Sequence, residues 1–415
     1  MKRTAVLVLG LFFSAGVVSA ETLDWQTCLQ EARRAQPELQ SAREQFNAAL
    51  ADKGLARSAL LPQISASGNA GKSKAAGRKI AEAYSYGVSG RQLLFDGFKS
   101  ANDLAAAQER VKSAEFAYDV VSSNVRLNLW TAFVGLLSAQ ENLGVARNIL
   151  VRRKQNMDMV ALQYKGGREH KGSLLTAEAN AAQAELDLVE AERNIELYQR
   201  RLTKELGRSA FTAFTVTGDL TVGEIDRSKP EFEKLVESTP LLRELVTQKE
   251  AARLGLKSAR ADFFPQIYAD GGGQRGDASW PPRTDSWSAG ISVSFPIFQG
   301  GQQQAALAKS QANYRQSQAD ERSGRDGVIL TLAQAWTQWL NDVDQVKVQE
   351  KFFQAAQQRA EIVEAQYKSG LTTFNDWTII EDDLVRNQKA LLQAKTNALL
   401  SEAGWLQAKG ETVDE

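Results

Sequence analysis

The chain states one pattern twice. A shift of 203 positions lays Pro37 on Pro240, Pro62 on Pro265, Phe95 on Phe298 and Gly97 on Gly300 without a gap. The same shift carries Tyr164-Lys165-Gly166-Gly167 onto Tyr367-Lys368-Ser369-Gly370, and Gly207 onto Gly410. Between positions 37 and 70, 12 of 34 residues are identical to their partners. So long a period is not that of a short solenoid repeat. It predicts two copies of one large unit in one protomer, a pseudo-two-fold building block suited to a symmetric ring. The expected division is residues 1–20, then a first repeat over 21–226 and a second over 227–415.

Proline placement narrows what each copy can be. The eight prolines fall at 37, 62, 230, 240, 265, 281, 282 and 296, leaving 63–229 and 297–415 free of them. Proline breaks helix interiors, so these spans permit very long helices. The abundance of Ala, Gln, Glu, Leu, Arg and Lys favours them.

Residues 1–20 read as a secretory signal. Lys2 and Arg3 precede an apolar stretch from Ala5 to Phe13, and Val18-Ser19-Ala20 supplies the small residues of a cleavage site. The stretch is shorter than the roughly 20 residues of a membrane-spanning helix. Later segments carry no uncharged apolar run of that length, so the mature chain is either soluble outside the cytoplasm or enters a membrane by strands. With 50 basic and 50 acidic residues, charge does not point to nucleic acid. Cys28 is the single cysteine, which excludes an internal disulfide. Trp25-Gln26-Thr27 before it does not suit a lipidated cysteine, so it reads as a buried small hydrophobe.

Each copy repeats one order of elements. A short amphipathic helix (about 23–35, and 230–238) leads into a helix opened by Pro37 or Pro240, a good first-turn residue. Two strands follow, about 63–72 and 84–95, then 266–275 and 286–298. Next comes a helix over about 99–164 or 302–367, a Gly-containing turn, and a return helix ending at Gly207 or Gly410 as C-terminal caps. A linker over 208–229 includes a short strand at 214–217. Trp287, Ala289, Ile291, Val293 and Phe295 alternate with serines and Gly290, and Tyr84, Tyr86 and Val88 alternate likewise, which marks strands with one apolar and one wet face. Strands of about 10 residues match tilted strands crossing an outer membrane. Phe263, Phe264, Phe95 and Phe298 gather at one end, and Tyr84, Trp280 and Trp287 at the other, as expected of aromatic girdles at two lipid interfaces.

Four strands do not close a membrane barrel, and open edges are not tolerated in lipid. The chain is therefore expected to share a barrel with copies of itself. Two copies would give eight strands and three would give twelve, and twelve suits a conduit better. The long helices span about 100 Å each. Val111, Ala114, Ala117, Tyr118, Val121, Val125, Leu129 and Ala132 form a narrow stripe along the first, suited to side-by-side helix packing.

The duplicated order, Leu61-Pro62-Gln63-Ile64 and Phe264-Pro265-Gln266-Ile267 before the first strands, and Leu94-Phe95-Asp96-Gly97 and Ile297-Phe298-Gln299-Gly300 after the second, resemble the TolC family of outer-membrane efflux channels. Tyr164-Lys165-Gly166-Gly167 and Tyr367-Lys368-Ser369-Gly370-Leu371-Thr372 resemble the family's periplasmic turns. The resemblance covers essentially the whole mature chain. It implies a mainly α fold with β: a homotrimer, a twelve-stranded β-barrel in the outer membrane and a periplasmic α-barrel of long-helix hairpins. It also implies an exit duct for efflux or type I secretion, with a periplasmic adaptor and an inner-membrane transporter of the RND, ABC or MFS class as partners. Neither catalysis nor a cofactor or metal is implied. Tyr164, Gly167, Ser173, Tyr367, Gly370, Leu371, Thr372 and Asp376 fall at the gate and adaptor-docking tip. Ser173 stands where an Asp is usual. Asp376 would form a threefold acidic ring, against the plainer reading of a helix-cap or surface acid.

Other signals are weaker. Ala66 to Ser73 fits a loose phosphate-loop pattern, but the expected helix is absent and the second copy lacks the Lys-Ser. Lys72, Lys74, Arg78 and Lys79 read as a basic loop facing lipopolysaccharide phosphates. His170 is the sole histidine and reads as a solvated loop residue. Glu381-Asp382-Asp383 reads as a solvated helix face. A periplasmic coiled-coil adaptor would lack the aromatic-girdled strands, and a secreted enzyme would need paired catalytic groups.

Overall fold

The computed structural model describes residues 21–77, 79–223 and 225–414. The signal segment 1–20 and Arg78 lie outside the described residues. The first copy runs β1 (Glu21–Leu23), α1 (Trp25–Ala35), α2 (Pro37–Ser58), β2 (Gln63–Ser73), β3 (Ala81–Phe95), α3 (Lys99–Lys165) and α4 (Lys171–Leu206). After β4 (Phe214–Val216), the second runs α5 (Phe232–Leu235), α6 (Pro240–Ala261), β5 (Gln266–Asp277), β6 (Thr284–Ser294), α7 (Gln302–Ser369) and α8 (Phe374–Lys409). The main expected elements are present, and α3 and α7 run 67 and 68 residues without a break.

The ends of the helices follow from single residues. Pro37 and Pro240 occupy first-turn positions, and the Gln36 side chain accepts from the backbone N–H groups of Glu38 and Leu39. Gly207 and Gly410 close α4 and α8 with left-handed φ of 77° and 91°. A β-carbon on Gly410 would meet Pro240 Cδ at 2.2 Å. Gly410→Ala adds that overlap to backbone strain of about 1–3 kcal/mol. It is expected to lower the helix-melting midpoint, while Gly144→Ala, at a helical site with open space around it, leaves the midpoint unchanged or raised.

Several boundaries differ from expectation. The amphipathic segment 230–238 is not one helix: α5 spans four residues and a 3₁₀ turn follows at Val236–Ser238. There the Ser238 and Thr239 hydroxyls donate to the carbonyls of Leu235 and Val236, the local side-chain bonding that competes with a regular helix. β6 ends at Ser294 rather than near 298, because Pro296 has no N–H to give a ladder. β1 was not expected; it pairs parallel with β4, Glu21 opposite Phe214 and Leu23 opposite Val216.

The chain forms two compact units, and each takes segments from both repeats. Among the described residues, one comprises 21–32, Ala132–Thr221 and Lys351–Thr396. Within it, Leu23, Phe214 and Val216 bury the β1–β4 ladder. Gln140 holds Val216 by both of its backbone groups, at 2.8 and 2.9 Å. Arg208 gathers the carboxylates of Glu21 and Glu31, and its hydrogen bond to Glu21 lowers the Glu21 pKa against the opposing effect of burial. Cys28 is buried on α1, and burial pushes its thiol up to about 12, an inert small hydrophobe as expected.

The other unit comprises Arg33–Thr131, Val222–Glu350 and Asn397–Glu415. Its core joins Phe232, Val236, Leu242, Val328 and Leu332 to Trp336 and Trp405, whose ring centroids lie 5.2 Å apart. Val125 and Leu129, from the stripe read on α3, are fully buried, while Val111, Ala114 and Tyr118 are half-buried. This unit also carries one four-stranded antiparallel sheet in the order β2-β3-β5-β6. The two hairpins join through β3 and β5, so the internal seam of the duplication is a β-ladder.

Candidate functional site

Two places gather the residues singled out in the sequence: the sheet, and the turns that connect α3 to α4 and α7 to α8.

The sheet register sorts its side chains cleanly. Directly paired residues share a face. One face collects Ile64, Ala66, Gly68 and Ala70 of β2 with Tyr84, Tyr86, Val88 and Gly90 of β3. It continues through Ile267, Ala269, Gly271 and Gly273 of β5 to Val293, Ile291, Ala289 and Trp287 of β6. These central positions hold no charge. The charged residues of that face, Lys72, Glu82, Arg275, Asp277 and Asp285, all sit toward the hairpin-loop end. The opposite face is mostly serine, glycine, asparagine and glutamine, with Leu93 beside Tyr268 toward one end and Ala81 and Ala83 toward the other; on it Arg91 and Asp270 pair at 2.6 Å and Ser292 donates to the same carboxylate. The apolar face is uncovered by the chain itself: Trp287 is 84% exposed and Ile291 70%. β2 and β6 also leave one edge each without a ladder.

The aromatics lie at the two ends of this sheet. Tyr84 packs edge-to-face on Trp280 at 6.1 Å, and Tyr86 does so at 6.4 Å, with Trp280 in the β5–β6 loop and Trp287 early in β6. Phe95 ends β3, Phe264 stands just before β5 and Phe298 follows β6. Gly97, with φ of 67°, lets the chain turn tightly against Phe264, whose Cβ would lie 2.6 Å from an added β-carbon.

The turns use one design twice. Gly167 and Gly370 adopt left-handed φ of 71° and 79°. In the first turn Arg168 N–H bonds Gln163 O and Gly167 N–H bonds Tyr164 O; in the second Leu371 bonds Gln366 and Gly370 bonds Tyr367. These are Schellman closures. The return helices then start from matched caps. His170 Nδ1 accepts from Ser173 N–H at 3.2 Å, and Thr373 Oγ1 accepts from Asp376 N–H at 3.1 Å. The Thr373 hydroxyl donates back to the Asp376 carboxylate at 2.8 Å. Asp376 is thus an exposed first-turn acid held by the Thr373 cap, and Ser173, in the equivalent place, is buried beneath His170. His170 is a helix cap and not merely a solvated loop residue.

The two tyrosines differ although the repeat equates them. Tyr164 is 39% exposed and Tyr367 is 3% exposed. The cause is the second copy's Phe374 and Trp377, which stand where the first copy has Lys171 and Leu174. Tyr367 stacks on Trp377 at 4.4 Å, with Phe374 against both rings. Burial above all, then the nearby Glu169 carboxylate, raises the Tyr367 pKa. Its hydroxyl and the Trp377 indole N–H are buried without a partner at hydrogen-bonding geometry. Leu371 at the tip is exposed, and Thr372 half-exposed.

The acidic run after the turn is solvated only in part: Asp382 is exposed and Asp383 half-exposed, but Glu381 is not. Glu381 is buried and takes a bidentate pair from Arg152, at 2.6 and 2.7 Å, with Asn156 Nδ2 at 3.2 Å. Asp382 meets Arg153 at 2.5 Å and Asp383 meets Arg386 at 3.3 Å. The hydrogen bonds that Arg152 donates to Glu381 raise the Arg152 pKa against burial. Sequence reading missed Arg152, Arg153 and Asn156 as partners, because they lie on α3 and helix-to-helix register leaves no local signal.

A family model described as outer membrane efflux protein matches residues 28–208 and again 232–411, one match per repeat. The chain belongs to the outer membrane efflux protein family. It is 23% identical to the outer membrane efflux protein BepC of Brucella suis biovar 1, over 99% of this chain and 90% of that one. It is 23% identical to the outer membrane protein TolC of Vibrio cholerae, over 98% and 96%. Among solved structures, CusC superposes with a TM-score of 0.85 at 19% identity, covering 92% of this chain and 91% of that one. VceC of Vibrio cholerae does so at 0.82 and 20%, covering 93% and 96%. The fold is therefore that of these channels.

Within this outer membrane efflux family the remaining sequence signals find plain places. Ala66 to Ser73 is continuous β2, with no helix after it, so it forms no phosphate loop. Lys72 is not a free loop cation, since it pairs with Glu82 at 2.6 Å across the first hairpin. Lys74 and Lys79 lie between β2 and β3. No described helix is long and apolar enough to cross a membrane.

Proposed function

We propose that the chain is one protomer of a homotrimeric exit duct, a passive conduit across the outer membrane and periplasm. The observation that carries this reading is the sheet: one uncharged apolar face, one polar face, and an open edge on each side. Such a face is stable against lipid, and such edges are stable only when sister strands pair with them. Three copies make twelve strands with the serine-rich face lining water. Phe95, Phe264 and Phe298 form one aromatic girdle, and Tyr84, Trp280 and Trp287 the other.

The turns form the periplasmic tip, where Tyr164, Gly167, Ser173, Tyr367, Gly370, Leu371, Thr372 and Asp376 bound the narrow end of the duct. Exposed Leu371 in the second turn, with exposed Leu162 on α3 and Leu175 on α4 either side of the first, gives apolar area for a periplasmic adaptor. That adaptor joins the duct to an inner-membrane transporter. No catalytic step is assigned to the protein. The adaptor reading of the chain itself is disfavoured because an adaptor has no use for a lipid-facing sheet.

Planar bilayers test the tip. Asp376→Asn with Tyr367→Phe is expected to raise single-channel conductance, because both stand at the turn where the duct is narrowest, and to weaken cation preference, because three acidic carboxylates leave the constriction. Thr373→Val removes the cap hydroxyl but keeps the charge, and should leave ion preference intact. Unchanged conductance and selectivity in the double variant would remove both residues from the gate.

A further inference from the structure

The duplication changes character at one place, and a cavity opens there. In the first copy Phe133, Leu136, Leu202 and Leu206 are buried. Beside them the Gln199 amide donates to the carbonyl of Phe214 on β4, whose own ring is buried. The shift of 203 positions turns Phe133, Leu136 and Leu202 into Trp336, Trp339 and Trp405, Leu206 into Lys409, and Gln199 into Glu402. No strand repeats β4 among the described residues of the second copy. Its five residues line instead a cavity of about 480 Å³, bounded by α7, the end of α8 and the linker around Asp226 and Pro230. That volume lies within the roughly 300–1,000 Å³ of small-molecule sites.

The lining is aromatic, and its polar groups differ in whether they are satisfied. The Trp336 ring lies 5.5 Å from Trp339 and 5.2 Å from Trp405, centroid to centroid. Tryptophan is the best of the aromatic side chains at attracting a cation to its ring face, and the Lys409 ammonium already stands 5.7 Å from the Trp405 centroid. Lys409 is neutralised by Glu411 at 2.7 Å. Asp226 accepts from the backbone N–H and the hydroxyl of Ser228. Glu402 is half-buried and has no hydrogen bond or ion pair among the described residues. Burial above all, then the nearby Glu411 carboxylate, raises its pKa. The Trp339 indole N–H is buried and has no acceptor, the kind of unmade bond that a folded protein otherwise avoids.

We propose that this cavity is a binding site for a small organic cation of the alkylammonium class. The ligand's apolar groups lie against the tryptophans, its positive charge neutralises Glu402, and an oxygen on it accepts from the Trp339 indole N–H. A neutral ligand would leave Glu402 unpaired, and an anion would be repelled by it. The first copy has no such site, because its leucines are buried and Gln199 is satisfied. All the residues involved belong to one compact unit of one chain, so the proposal goes beyond the duct reading and does not depend on it.

Calorimetric titration of the full chain, solubilised in a detergent without a choline head, tests the site with matched probes. Choline carries the charge and an oxygen. Propyltrimethylammonium keeps the charge and lacks the oxygen. The alcohol 3,3-dimethylbutan-1-ol keeps the shape and the oxygen and lacks the charge. Choline is expected to bind saturably, and the neutral alcohol about tenfold more weakly or worse. Glu402→Gln, which installs the first copy's residue, should remove the preference for choline over the alcohol. Trp339→Phe should remove the preference for choline over propyltrimethylammonium and keep that for charge. These are ratios within one preparation, so partial unfolding does not imitate them. Phosphocholine separates the two sources of such a cation: binding as tight as choline's points to a lipid headgroup and weaker binding to a free amine, and either supports the site. Three results overturn the proposal: no saturable choline binding to the unaltered protein, the alcohol binding as well as choline, or an unchanged preference in Glu402→Gln.

Discussion

Ile291→Arg is expected to abolish assembly of the protein in the outer membrane. Ile291 lies mid-strand in β6, opposite Ala269, at the centre of the uncharged face. An Arg at the bilayer midplane of a β-barrel costs about 2–4 kcal/mol. A trimer incurs it three times, a total comparable with the roughly 5–15 kcal/mol stability of a typical folded protein. Ser288→Arg is the matched control. It places the same charge on the polar face, opposite Gly272, which has no side chain to displace. The readout is the yield of heat-modifiable oligomer in the outer-membrane fraction. Ile291→Arg should give little or none, and Ser288→Arg a near-normal amount with altered ion preference. Equal yields for the two would show that the faces are not distinguished by lipid.

Arg152→Met should loosen the unit that holds the tip. It leaves the Glu381 carboxylate, only 2% exposed, with Asn156 as its remaining hydrogen-bond donor. Removing one partner of a buried ion pair costs roughly 3–5 kcal/mol, and replacing both by apolar residues is often neutral. Arg152 is itself one-third exposed, which favours the lower end of that range. Hydrogen exchange across residues 377–384 is expected to accelerate strongly in Arg152→Met and to return toward normal in Arg152→Met with Glu381→Leu. If both variants exchange alike, the pair contributes through its individual side chains and not as a unit.

Most of the fold was legible because its signals are local. Pro37 and Pro240 announce helix starts, Gly207 and Gly410 announce ends, and period-two alternation around Ile291 announces a half-wet strand. The duplication then turned each weak local signal into two agreeing ones. What stayed hidden depends on distant partners. β1 is three residues long and exists because Phe214 to Val216, 193 positions away, pair with it. The segment 230–238 broke into a short helix and a 3₁₀ turn through side-chain bonds of Ser238 and Thr239 that hydrophobic periodicity does not report.

The tip was legible in part. The Schellman glycines 167 and 370 and the Ser173–Asp376 departure were visible as motif positions. Their chemistry was not, because it depends on helix register. Trp377 is the ring that buries Tyr367, and its signal in hindsight is the change from Leu174 to Trp377 between otherwise matching copies. Arg152 and Glu381 stand 229 positions apart on different helices, so the acids looked solvated when read alone.

The mass of the detergent-solubilised full chain, measured by native mass spectrometry, tests the central claim most directly. The account predicts three copies per particle, which supply twelve strands and leave neither β2 nor β6 unpaired. A stable, folded monomer with its apolar sheet face in detergent and both edges bare would contradict it.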